Sequence, residues 1–557
     1  MSEDSGTRTP ALVHAGTRAG REDDDGSERG TRGGDARALR RRAPVAERSR
    51  SIRQRASLRW ALARSAAPLA WCPSASMLRR IPRAAWICAL VAGLNATCWS
   101  IVTPAFEIPD EPDHYAYVKQ LAETGSLPSP NSTRFAKEER ITLVGLRYYK
   151  VRQQPQHDAI GSRAEQNKLQ EDLLLASQAS EVGSPTAGVA ASQPPLYYAL
   201  ETVPYDLAGG TVLDRLQLMR LMSALMAGLT AMFVFLFIRE ALPREPWAWT
   251  VGGLAVALAP LLGFISGAVN PDSLLFAVSA AIFYALARAF RRGLSTGAAA
   301  SIGALTAVGL LTKLNFIGLT PGILLGLTVL TVRAARSSPV RLAHRRLALA
   351  VGVAFSPVVV YACINALSNH PPLGLVSGAL QTLHGSIFAE INYIWQLYLP
   401  RLPGTFNDFP GLFTTKQLWF NGYVGLYGWL DTTFPGWVYS VAPIPAGTIA
   451  LLCGRALFES RAALRSRAAE LAVYAVMAVG VMALVGAASY HGFPAVQAEF
   501  AEARYMLPML ALLGAALALA ARGAGPRWGR AAGTLIVILF LSHDVFSQLL
   551  VVGRFYG

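Results

Sequence analysis

Charge is what this sequence has least of. Only 15% of its 557 residues are Asp, Glu, Lys or Arg, while 52% are apolar, a balance that excludes an ordinary soluble domain of this length and reads as an integral membrane protein. Cysteine is equally sparse. Cys72, Cys88, Cys98, Cys363 and Cys453 lie far apart and form no CxxC or metal-ligand spacing, so they exclude a disulfide frame and read as small buried hydrophobes. No P-loop, GxGxxG, HExxH or GxSxG stands on a suitable strand and helix, which argues against a nucleotide-fuelled pump. A soluble domain with a DxD to hold a nucleotide sugar is missing as well. Internal repeats or inverted hydropathy symmetry, the usual mark of a secondary transporter, are not evident.

What is present begins with a basic tail. Formal net charge is +16, and residues 1–83 hold 18 Arg against 9 Asp or Glu, so +9 of that excess precedes any apolar run. The basic balance therefore belongs to a tail and loops and does not mark a nucleic-acid face. Residues 1–82, rich in Arg, Gly, Ala and Ser and without apolar periodicity, read as a disordered cytoplasmic tail. Met77 opens "MLRRIPRAAWICALVAGL", which has the form of a natural membrane-protein start. The run that follows is long, uncharged and without an A-x-A site, so it reads as an uncleaved first span.

About eleven segments are apolar enough to span a bilayer: 84–105, 217–238, 246–268, 272–288, 294–312, 314–332, 347–368, 434–454, 470–490, 504–521 and 529–548. The expected fold class is all-α and polytopic, with residues 83–557 as the transmembrane domain. Arg-rich turns such as "RAFRRG", "RAARSSPVRLAHRR" and "ARGAGPRWGR" recur on the side of "LRRIPR", which places the N-terminus in the cytoplasm. The two long loops, 106–210 and 369–433, then face outward, and loops of that length are functional or disordered. Within the first, "AYVKQLAETG" and "RAEQNKLQEDLLLASQAS" carry helical apolar spacing and are expected to lie on the membrane surface.

The stretch "FEIPDEPDH" packs Glu107, Asp110, Glu111 and Asp113 into seven residues directly after the first span. Glu111 before Pro112 is suited to cap a helix ending at Gly125, but a cap needs one or two acids. Four acids at the bilayer edge point to a site, because clustered carboxylates raise one another's pKa or bind a cation. Arg504 in "EARYMLP" and Lys313 in "LLTKLNF" supply positive charge on the same side. Tyr197 and Tyr198 in "QPPLYYAL" most simply belong to an interface belt and are also candidates to wall a site. Asp272 in "NPDS" reads as a helix cap. Trp429 and Asp431 in "GYVGLYGWLDTTFP", in the second long loop, are secondary candidates for substrate binding.

Taken together, "PDEPDHYAYVKQLAETG", "QPPLYYAL", "NPDSLLFAVSAAIFYAL", "GYVGLYGWLDTTFP" and "EARYMLP" resemble the DUF2142 family of polytopic membrane proteins, which is in turn similar to the GT-C glycosyltransferases. The resemblance covers about residues 84–550. It implies a GT-C-like enzyme that moves a sugar, with inversion, from a polyprenyl-phosphate donor to a glycan or glycolipid acceptor on the extracytoplasmic face. Asp110 and Glu111 match the acidic pair that follows the first span. Asp110 is the expected general base, with Glu111 or His114 as its partner, and spacing alone does not decide which of the acidic pair acts. Asp110, Glu111 and His114 would also be the ligands of a divalent cation, the single cofactor candidate. A carrier or flippase of lipid-linked glycans and a non-catalytic assembly partner are the alternative readings.

Overall fold

The computed structural model describes residues 81–128, 135–153, 162–178, 188–368, 386–407, 409, 414–496 and 501–557. The expected tail, apart from Ile81 and Pro82, and residues 369–385 of the second long loop lie outside the described residues. Among those described, nine helices are long and apolar enough to cross a membrane, or ten with one bent pair. The elements used below are α1 (Arg83–Val102), α2 (Glu111–Thr124), α3 (Leu196–Ala208), α4 (Val212–Ala241), α5 (Pro246–Ala257), α6 (Pro260–Ser266), α7 (Asp272–Arg292), α8 (Thr296–Thr312), α9 (Leu314–Ala335), α10 (Val340–Leu367), α11 (Gly436–Glu459), α12 (Ala468–His491), α13 (Ala503–Gly523) and α14 (Gly525–Tyr556). Shorter surface helices are cited by range. Strands among the described residues amount to β1 (Leu426–Tyr427) paired antiparallel with β2 (Thr432–Thr433), so the fold is all-α.

Each of the eleven expected runs corresponds to a helical segment, with two departures. The third is not one rod: α5 and α6 bend by 52°. Ala259 stands before Pro260 in an extended conformation, as the steric demand of proline on its predecessor requires. The Ala257 carbonyl freed there accepts from Asn95 Nδ2 at 3.2 Å, so the break leaves no orphan acceptor in an apolar setting. The fifth run, α8, has 17 residues, about 26 Å at 1.5 Å per residue, a little short of the ~30 Å hydrocarbon core.

Burial follows lipid logic, with small residues inside and large ones out. On α1, Ala85, Cys88, Ala92 and Ala96 are buried while Trp86, Ile87, Leu90 and Leu94 are exposed. A Cβ on Gly228 of α4 would sit 2.9 Å from the Ala89 carbonyl of α1, so glycine there permits the close approach of the two helices. Likewise a Cβ on Gly303 of α8 would lie 2.5 Å from the Ala350 carbonyl of α10. In the centre, α4 packs on α1 and α7, and α5 on α13. This frame brings the start of α7, the start of α13 and the loop after α1 to one end of the bundle.

Candidate functional site

The loop that leaves α1 is built around an ion pair. Arg220 of α4, 2% exposed, meets the fully buried Glu111 with Nε to Oε1 at 2.8 Å and Nη2 to Oε2 at 2.6 Å. Its Nη1 donates to the carbonyls of Ser100 and Thr103 at 2.9 Å each, and Nη2 to that of Pro104 at 3.0 Å. The last carbonyls of α1, orphaned by the helix end, are thus satisfied by a cation that also suits the helix dipole. Glu111 in turn accepts from the backbone N–H of Phe106 at 2.9 Å and of Val269 at 3.0 Å. Both its oxygens are taken. Glu111 is therefore neither the exposed cap nor the free carboxylate expected from the sequence: it is the first residue of α2 and a structural clamp. With Phe106 N–H held this way, that bulky residue tolerates a φ of +69°, a strained value that only an over-determined setting maintains.

Asp110 takes the cap position instead, at φ +66° and without a side-chain cap bond. Its side chain is 30% exposed and its Oδ2 accepts from Arg504 Nη2 at 3.0 Å. Burial works to raise this carboxyl, but the Arg504 guanidinium, with help from Lys313, holds it below its ordinary range. Arg504, only 4% exposed, also pairs with Glu502 through Nε at 2.8 Å, while its Nη1 is buried without a hydrogen-bond partner among the described residues. Burial pushes the Glu502 carboxyl up despite that guanidinium. Lys313 pairs with Asp272 at 2.7 Å. Asp272 is 1% exposed, so it is a buried counter-ion at the start of α7 rather than the plain cap that "NPDS" implied.

Around Arg504 opens a cleft of ≈ 480 Å³, part of it continuous with solvent, lined by Pro109, Leu261, Phe264, Ile265, Leu418, Leu426 and Leu430, and by Glu502 on its polar side. Its floor is apolar and one rim is charged. The β1–β2 tip, Gly428 to Asp431, offers alternate residues to opposite sides: Gly428 and Leu430 line the cleft, whereas Asp431 accepts from Arg554 at 3.3 Å and Trp429 lies under the Arg152 guanidinium, 3.5 Å from its ring centroid. Trp429 and Asp431 thus do not line the cleft with Arg504. They belong to a second charged group that includes Glu107, whose carboxyl burial and the nearby Asp431 push up to about 8.

His114 and the tyrosine pair sit behind α2. His114 Nδ1 lies 2.9 Å from the Tyr198 hydroxyl, and burial drives the imidazole down to about 3, so it is neutral. Tyr198 stacks on Tyr117 at 3.7 Å, and the Tyr197 hydroxyl meets Ser223 at 2.8 Å. Both tyrosines are fully buried and neither lines the cleft, so the expected wall of the site is not formed by their rings. Nor are Asp110, Glu111 and His114 brought together as metal ligands: Glu111 is spent on Arg220, and no group of three or more His, Cys, Asp or Glu suited to a metal occurs among the described residues. The residues that sequence reasoning missed are Arg220, Glu502, Arg152 and Arg554. Arg220 lay hidden in "LQLMRLMSAL", where one arginine in an apolar run was the available signal.

A family model described as "Predicted membrane protein (DUF2142)" matches residues 94–513. The chain belongs to the DUF2142 family. All the candidate site residues singled out from the sequence fall inside the matched stretch, whereas Arg554 lies beyond it. A comparison with solved structures finds similarity to ArnT from Cupriavidus metallidurans in the apo state, at 14% identity and a TM-score of 0.42, covering 84% of this chain and 73% of that one. The comparison with curated proteins gave no match. With its membrane-spanning helices, this DUF2142 protein is a multi-pass membrane protein.

Proposed function

We propose that this DUF2142 protein is a membrane glycosyltransferase that moves a sugar from a polyprenyl-phosphate donor to a glycan or glycolipid acceptor at the extracytoplasmic face. The observation that carries the reading is the cleft: an apolar floor of Leu261, Phe264 and Leu418 beside a buried arginine with an unpartnered Nη1, next to a partly exposed carboxylate at 3.0 Å. A lipid phosphate needs both surfaces, one for its chain and one for its charge.

In the proposed step the acceptor hydroxyl attacks the anomeric carbon, Asp110 takes its proton, and the bond to the polyprenyl phosphate breaks. Asp110, ionised because Arg504 holds its carboxyl low, is in the right protonation state for a base. Arg504 Nη1 stabilises charge on the departing phosphate oxygen as it develops. Lys313 acts from behind, since Asp272 already partners it. Glu111 places the loop and takes no proton.

The test is transfer from a panel of polyprenyl-phosphate sugars by purified wild type and variants. Asp110→Asn is expected to lower kcat by about 10²–10⁴-fold, the range of general-base catalysis, with the fold unchanged. Full activity in Asp110→Asn and in Arg504→Gln would overturn the mechanism. No transfer by wild type, together with movement of lipid-linked glycan across vesicles, would overturn the enzyme reading.

A further inference from the structure

The other end of the bundle carries a second cavity. It holds ≈ 840 Å³ of empty space, part of it open to solvent, and is lined by Phe290, Arg292, Leu294, Arg333, Ser338 and Arg346 among others. It lies where α7 and α9 end and where α8 and α10 begin. Asp272 and Arg292 are the two ends of the 21-residue α7, about 30 Å apart at 1.5 Å per residue, so this cavity and the Arg504 cleft are at opposite faces of the membrane-spanning layer.

Its charge is unbalanced. Glu240 pairs with Arg291 at 3.4 Å and with Arg292 at 3.1 Å. Arg333 and Arg346, by contrast, pair with no carboxylate among the described residues. The Arg333 guanidinium stands 5.2 Å over the Phe290 ring, and Arg346 Nη1 donates to the Leu294 carbonyl at 2.9 Å while its Nε is buried with no partner. Arg346 is anchored by that bond while Arg333 is exposed, and both guanidinium groups have donors to spare among the described residues. Phe290, Leu294 and Leu330 line the same cavity, and Leu342, one turn before Arg346 on the same face of α10, exposes its side chain, apolar surface on which an acyl chain can lie.

We propose that this cavity binds the headgroup of an anionic phospholipid, its phosphate between Arg333 and Arg346 and its chains against Phe290, Leu330 and Leu342. Basic pockets between helices at the membrane surface take such headgroups, and the planar guanidinium forks match phosphate oxygens in pairs. The apolar part of the lining, at the ends of membrane-spanning helices, favours a lipid over a soluble phosphate.

The experiment uses the purified full chain in mild detergent, with thermal unfolding and native mass spectrometry read against added phosphatidylglycerol, phosphatidylcholine or inorganic phosphate. Phosphatidylglycerol is expected to raise Tm and remain bound in the mass spectrum, whereas phosphatidylcholine and inorganic phosphate do neither. Arg333→Gln, whose recorded contact is the Phe290 ring, is expected to fold and to weaken the phosphatidylglycerol response about tenfold, the loss of one charge-assisted contact. Arg333→Gln with Arg346→Gln removes the response. Arg341→Gln, exposed on α10 outside the cavity, keeps it. An undiminished response in the double variant, an equal loss in Arg341→Gln, or an equal Tm rise with inorganic phosphate would each overturn the proposal.

Discussion

Arg220 and Glu111 form the ion pair on which the loop after α1 depends. With side chains 2% and 0% exposed, neither charge has water to fall back on. Removing one partner leaves the other buried and uncompensated, which costs about 3–5 kcal/mol, whereas replacing both by apolar residues of similar volume is much milder. Glu111→Ala is therefore expected to unfold at markedly lower temperature in detergent, and Glu111→Leu with Arg220→Met to recover only the part due to the unpaired charge, because the backbone groups of Phe106, Val269, Ser100, Thr103 and Pro104 lose their partners. A double variant no better than the single would show that the pair matters through something other than its charge. Glu107 gives the corresponding pH test. Its carboxyl rises from 4.5 to about 8 on folding, so between those values the folded state holds a proton that the unfolded state has released. Its stabilisation is complete below pH 4.5 and is lost as pH rises through about 8, at about 1.4 kcal/mol per pH unit crossed. Glu107→Gln should match wild type near pH 5 and melt above it near pH 9. Parallel Tm profiles for the two proteins across that range would contradict the burial of an ionisable carboxyl here.

The β1–β2 hairpin is the element that joins the cleft to the second charged group. Its tip needs two left-handed residues, Gly428 at φ +60° and Leu430 at φ +64°, and leucine there is strained without support. Support comes from Asp431, which accepts from the Trp429 N–H at 3.2 Å and from Arg554 at the end of α14. Arg554→Ala should loosen the tip, seen as faster amide exchange over 426–433 with exchange in α1 and α4 unchanged. Uniform acceleration across the protein would mean that Arg554 serves global stability instead. This element also marks a limit of the sequence. The apolar runs made the spans legible because local chemistry decides them, whereas the break before Pro260 went unread inside the single run 246–268. The hairpin was legible only as an aromatic-rich stretch with an acid, since Gly428-Trp429-Leu430-Asp431 owes its shape to partners 123 residues away in the chain. Asp110 and Arg504, 394 residues apart, were each legible as charges at the bilayer edge. Their ion pair was not, and neither was the loss of Glu111 to Arg220, because both depend on which helices pack together.

At the scale of the whole molecule, the polar groups are sorted by end. Asp110, Lys313, Arg504 and Glu502 gather where α7 and α13 begin, while Arg291, Arg292, Arg333 and Arg346 gather where α7 and α9 finish. Lys and Arg flanking spans are retained on the cytoplasmic side, so we propose that the arginine-rich end faces the cytoplasm and the cleft faces outward. Orientation is what gives the proposed chemistry its substrate, since an acceptor in the cell envelope meets only an outward cleft. It is checked by placing single cysteines in a cysteine-free background at Ser126, exposed just past α2, and at Ser337, exposed between α9 and α10. A membrane-impermeant maleimide should label the cysteine of Ser126→Cys in intact cells, and that of Ser337→Cys only after permeabilisation. The reverse pattern would place the cleft in the cytoplasm and remove the envelope acceptor. Labelling of both sites in intact cells would put α7 and α9 outside the bilayer and contradict the multi-pass arrangement at these helices.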